Sequence, residues 1–209
     1  MATVPPEVLP DAWQPLLAQP PLARLLGQPM VGDALLTMHR LLPPRVAVHS
    51  LRTFLLADAC ATARGTGCDR TGLLVAAAFH DTGLTRGGPR VRGGFPTRSA
   101  ALLDRFLIGH GVPERRRGAL TRAVREHMRP FPARDAGPEA RLLHFGAWLD
   151  VVGRGSGEVP GERRRLAALA PTPLFAVSFS ARVAVSGLRG ALPDRPPPPP
   201  GGRRRRPAR

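Results

Sequence analysis

The chain has 209 residues, 43% of them hydrophobic, 5% aromatic and 22% charged, with a formal net charge of +16. This is enough apolar material for one globular domain and excludes a disulfide miniprotein, a collagen and a fully disordered chain. All 31 basic residues are arginine, and the net positive charge favours anionic ligands or solubility through self-repulsion rather than any particular fold.

In chain order, residues 1–12 are Pro-rich and predict an extended lead-in. Helices are expected over 13–27, 30–41, 45–64, 69–81, 97–109, 113–128, 139–152 and 161–170, separated by Gly and Pro punctuation. Pro44 and Gly65 suit the start and end of the third of these. Asp69 is the expected cap of the fourth, with Gly83 as its stop. Thr97 is the expected cap of the fifth, and Pro113 opens the sixth. Residues 175–190 fit two patterns: Phe175, Phe179 and Val183 make a helical stripe, while Val177, Phe179, Ala181, Val183 and Val185 alternate like a strand. Helix is the preferred reading. Pro196 to Pro200, two glycines and a run of arginines predict a disordered tail over 193–209. The expected architecture is therefore an all-α domain over 13–192 with a disordered Pro/Arg-rich C-terminal tail.

Cys60 and Cys68 are the only cysteines and lie outside any CxxC pattern, so they read as reduced thiols, with a single disulfide left open. No leader-like start is present, and no apolar run approaches the roughly 18 residues of a membrane span. The expectation is a cytoplasmic protein with no membrane partner.

Several polar residues fall on apolar stripes. Val46, His49, Thr53, Leu56 and Cys60 share one helical face, as do Leu73, Ala76, Ala77 and His80, with Asp81 about 100° further round. His127 continues Leu120 and Val124, and Asp150 continues Leu143, Gly146 and Ala147. Among these, the imidazoles of His49 and His80 and the carboxylates of Asp81 and Asp150 need a cation, a protonation change or several hydrogen bonds on their inward faces. A divalent metal meets all of these needs, and the N/O donor set suits Zn, Mn, Fe, Ni, Co or Mg rather than a thiolate site. Taken one by one, each of these histidines also reads as a hydrogen-bonded core residue and each aspartate as a cap.

The segments His49-Ser50-Leu51-Arg52, Ala78-Phe79-His80-Asp81-Thr82-Gly83 and Ala147-Trp148-Leu149-Asp150 resemble the H…HD…D order of the HD-domain superfamily of metal-dependent phosphohydrolases over about residues 45–155. The resemblance implies a helical bundle with an ion held by His49, His80, Asp81 and Asp150. The phrases HSLR, HDTG, GHGVP, REH and LDVVG are most similar to the cyanamide hydratase-like branch, which hydrates a nitrile-like substrate. Where that branch carries acidic residues, this chain has Pro96 and Arg98. His110 and His127 occupy the order of extra ligands in two-metal members, which implies a second ion near them.

A bound divalent ion supplies an activated water, with Asp81, Arg52 and His127 as the catalytic candidates. Arg52, one turn beyond His49, is a candidate fork for an anionic small-molecule substrate; the alternative is a solvated or interhelical arginine. The expected activity is hydrolysis of a phosphate ester or nucleotide, with hydration of a small nitrile as the alternative. A third reading is a non-catalytic protein that binds nucleic acid through its Arg-rich tail and the runs Arg115-Arg116-Arg117 and Arg163-Arg164-Arg165. His39 and His144 read as structural.

Overall fold

The computed structural model describes residues 8–85, 93–155 and 157–191, with side chains described as far as 185. Among the described residues there are helices and no strand, so the all-α expectation holds. The ten α-helices are α1 (Gln14–Leu17), α2 (Pro20–Ala23), α3 (Pro29–Leu41), α4 (Pro44–Ala63), α5 (Arg70–Phe79), α6 (Gly94–Gly109), α7 (Glu114–Glu126), α8 (Pro138–Val152), α9 (Glu162–Leu169) and α10 (Phe175–Ala191). The tail over 193–209 and the first seven residues of the lead-in lie outside the described residues.

The central element is α5, in which every residue from Gly72 to Phe79 is buried. A ten-residue helix with no polar face beyond its first turn must be surrounded, and α3, α4, α6, α7 and α8 all pack on it. The most extensive helix pair is α4 with α8. Their axes approach closely because α8 carries Gly146 where a Cβ would overlap the Thr53 carbonyl of α4. That contact, repeated one turn away by His49 against Asp150, runs the two helices antiparallel.

Several boundaries differ from expectation for local reasons. The helix expected over 13–27 is two short ones, because Pro20 and Pro21 lack the N–H groups that would continue it. The lead-in is not extended throughout: Asp11–Trp13 form a 3-10 turn and Leu9 and Trp13 are buried. Asp69 caps α5 as expected, its carboxylate accepting from the Thr71 N–H at 3.0 Å. The helix stops at Phe79, before Gly83, because the His80 and Thr82 side chains donate to the Ala77 and Phe79 carbonyls. Gly83 serves a different purpose: a Cβ there would overlap the Phe95 carbonyl, and its N–H donates to Ser99 Oγ at 2.8 Å. Thr97 is not the cap of α6; Gly93, in the left-handed region at φ 93°, occupies that position. Residues 175–191 are helical, and Cys60 and Cys68 are both free.

Candidate metal centre

Four helices bring histidines and aspartates to one buried point. His49 comes from the second turn of α4, His80 and Asp81 from the C-terminal end of α5, His127 from the C-terminal end of α7, and Asp150 from the last turn of α8. All five are buried, with Asp81 and His80 fully so.

The three imidazoles are oriented in the same way. His80 Nδ1 lies 2.7 Å from the Ala77 carbonyl and His127 Nδ1 lies 2.6 Å from the Val124 carbonyl. Carbonyls only accept, so each Nδ1 donates and each Nε2 is left facing inward. The acceptors are carbonyls left orphaned at a helix C-terminus, three residues back in both cases. His49 Nδ1 faces a carboxylate instead, Asp150 Oδ2 at 2.7 Å. The Nε2 atoms of His49 and His80 are 3.2 Å apart, and Asp81 Oδ2 lies 3.2 Å from the latter and 3.7 Å from the former. His127 Nε2 approaches the other oxygen, Asp81 Oδ1, at 3.6 Å.

Asp81 Oδ1, Asp81 Oδ2 and His127 Nε2 are buried and have no hydrogen-bond partner. A fully buried carboxylate is expensive without a donor or a cation. The charges respond accordingly. Burial pushes the His80 imidazolium toward losing its proton, but Asp81 beside it overrides this and holds its pKa above the ordinary histidine value. Burial pushes Asp81 up, and His80, His127 and His49 together outweigh it, holding the carboxyl far below the usual range. Burial, aided by the His80 charge, keeps His127 below the ordinary histidine value. Two carboxylate oxygens and an imidazole nitrogen buried without a hydrogen-bond partner are the arrangement a bound cation would satisfy.

The buried His49, His80 and Asp81 group can hold a metal ion. Around an ion with bonds of about 2.0–2.1 Å, tetrahedral donors sit about 3.3 Å apart; the observed separations of 3.2, 3.2 and 3.7 Å match.

Arg52 folds back onto Asp150. It is buried, with Nε 2.8 Å from Asp150 Oδ1, Nη2 3.0 Å from Asp150 Oδ2 and from Thr172 Oγ1, and Nη1 donating to the Ala170 carbonyl. It ties α4 to α8 and to the connection between α9 and α10. Burial would raise the Asp150 carboxyl, but His49 and Arg52 outweigh it and hold it below the usual range. His110 is not drawn into the cluster: its Nε2 faces Asp33 at 3.5 Å and its ring packs on Phe106. A second ion near His127 therefore lacks the His110 ligand expected for it.

His144 reads as structural and is so placed, its Nδ1 and the Trp148 indole N–H both donating at 3.2 Å to the His127 carbonyl, which fixes the end of α7. His39 lies exposed on α3 with its ring edge against Trp13.

Beside the cluster opens a cavity of about 290 Å³, lined by His49, His80 and His127 and otherwise chiefly by apolar groups of α8 and α10, among them Trp148, Val151, Phe179 and Val183. Phe175 and Phe179 also pack on the His49 ring, at 5.0 and 5.3 Å. The α10 wall was not assigned to the site from sequence; its signal was the stripe Phe175, Phe179 and Val183. No family model matches the chain, and comparison with curated proteins returned no match.

Proposed function

We propose that this chain is a metal-dependent enzyme of the HD superfamily that adds water to a small uncharged substrate held between α8 and α10. The observation that carries the reading is the buried His49, His80 and Asp81 group, short of a cation, at the inner end of an apolar cavity. When bound by His49, His80 and Asp81, a divalent ion would supply an activated water, with a pKa lowered from 15.7 toward about 7, and would polarise a substrate atom.

The chain's own groups do the rest. Asp81 Oδ1 and His127 Nε2, which no hydrogen bond engages, are the buried acceptors available for a proton leaving such a water. Trp148, Val151, Phe179 and Val183 displace bulk water from around the reacting atoms, which strengthens every charge interaction inside.

A phosphate ester fits less well. That reading draws on the superfamily at large, the basic body and Arg52; the Arg52 guanidinium is engaged by Asp150, Ala170 and Thr172, and no arginine is among the residues described as lining the cavity. Among the described lining residues, none offers a phosphate the fork of N–H donors that would replace its hydration. A nitrile carries no charge. Addition of water across its C≡N bond forms a C–O bond, moves both protons to nitrogen and yields an amide, or urea from cyanamide.

The test is a parallel assay of the metal-loaded protein and a His80→Ala/Asp81→Ala variant. Urea from cyanamide or amide from small nitriles is expected with the former only. Phosphate release from a nucleotide panel without hydration overturns the substrate assignment, and equal metal content in the two proteins overturns the site.

A further inference from the structure

The H…HD…D resemblance assigns the last aspartate to the ion, yet both oxygens of Asp150 are engaged by other groups of the chain. Asp150 Oδ2 accepts from His49 Nδ1 at 2.7 Å and from Arg52 Nη2 at 3.0 Å, while Oδ1 is ion-paired with Arg52 Nε at 2.8 Å. The carboxylate thus sits behind the His49 ring, on the side opposite the Nε2 that meets His80. A carboxylate gripped by a buried guanidinium fork is held in one orientation. Such a carboxylate–histidine pair fixes the imidazole tautomer and makes its other nitrogen a better donor.

A different group with an unpartnered nitrogen borders the His49, His80 and Asp81 cluster. His127 Nε2 is buried, unpartnered and 3.6 Å from Asp81 Oδ1. Its ring lies edge-on to that of His80 at 5.0 Å and borders the same cavity. Its Nδ1 is anchored on the Val124 carbonyl just as His80 is anchored on Ala77.

We infer that the two residues exchange the roles the resemblance gives them: Asp150 is a positioning residue that orients His49 from behind, and His127 Nε2 joins His49, His80 and Asp81 as the fourth protein donor. This rests on the metal reading above and adds to it the composition of the donor set. The ion then faces three neutral imidazoles and one carboxylate, a net charge one unit more positive than with two carboxylates. That is the better arrangement for lowering the pKa of water.

The experiment is Co²⁺ substitution, followed by metal stoichiometry and the visible absorption of the bound ion, with far-UV circular dichroism to confirm folding. The wild-type chain is expected to bind one Co²⁺. Asp150→Asn keeps an acceptor for the His49 N–H, so it should keep the wild-type stoichiometry and band positions while its affinity falls about 10–100-fold. His127→Ala should shift and weaken the bands, and added imidazole, entering through the cavity, should restore them. If Asp150→Asn does not fold, Asp150→Glu, which retains the charge facing Arg52, carries the same readout. A changed spectrum in the Asp150 variant, or an unchanged one in His127→Ala, overturns the donor set while leaving a metal site standing. A wild-type chain that takes up no Co²⁺ overturns the metal reading itself, and the donor set with it.

Discussion

Arg52 shows how one side chain can look functional in a sequence and be structural in the fold. One turn beyond His49 it has the right address for a substrate contact, but burial makes a guanidinium seek carboxylate and carbonyl partners, and it finds Asp150, Ala170 and Thr172. Removing one member of a buried pair leaves the other unpaired, at about 3–5 kcal/mol. Arg52→Met should therefore lower the unfolding free energy by about that amount in denaturant titration; a substrate-binding arginine would leave stability unchanged and raise KM. The same pair sets an acid limb. The Asp150 carboxyl is held below its unfolded value of about 3.9, so it contributes stability that is fully present above that pH and is lost as pH falls through the folded value. In chelator, the melting temperatures of the wild type and Asp150→Asn should differ at neutral pH and converge below about pH 4. A gap that stays constant down to pH 2 would show that Asp150 is not ionised against His49 and Arg52.

At the scale of helices, glycine placement decides whether the site closes. Gly146 permits the approach of α8 to α4 one turn from where Asp150 meets His49. Gly146→Ala forces the Thr53 carbonyl away and should cost about 1–3 kcal/mol as overpacking, with a weaker metal affinity because Asp150 moves with it. Gly118, in the middle of α7 with open space around its Cα, is the contrast: Gly118→Ala should stabilise by about 0.5–1 kcal/mol. Thermal melts and metal titrations of the two variants distinguish contact from propensity. The helices themselves were legible because their apolar periodicity and their Gly/Pro punctuation are local, as Pro44, Gly65 and Asp69 illustrate. The inward faces of His49, His80, His127 and Asp150 were legible for the same reason. What periodicity does not encode is direction within a buried face: that Asp150 lies behind His49, that Arg52 folds back onto it, and that His110 turns to Asp33. Those depend on how segments 77 to 101 residues apart in sequence dock. Gly83 was misread as a helix stop because the signal of a close backbone contact and that of a terminus are the same residue.

Over the whole molecule, the arginine runs act mainly as struts. Arg116 pairs with Asp69 and Arg117 with Asp104, Arg165 forks onto Glu162, and Arg163 donates to the Asp150 and Val151 carbonyls at the end of α8. Arginines engaged in this way have less to offer a nucleic-acid backbone, which leaves the six arginines of the last fifteen residues as the main source for any such affinity.

The cation-deficient cluster joins α4, α5, α7 and, through Asp150 behind His49, α8, so an ion bound there holds together helices from most of the domain. A ligand that binds only the folded chain stabilises it by about 2.7 kcal/mol at 100 times its Kd. Added Zn²⁺ or Co²⁺ should raise the melting temperature of the wild type, and chelation should reverse the rise. Binding should also compete with protonation of His80, whose pKa Asp81 holds above the ordinary histidine value, because an imidazole must be deprotonated to donate, so the stabilisation should shrink as pH is lowered through the His80 pKa. His80→Ala/Asp81→Ala should show neither the rise nor its pH dependence. A melting temperature indifferent to metal in the wild type would leave Asp81 with only the neighbouring histidines as partners, and the cluster as a buried polar network without a catalytic ion.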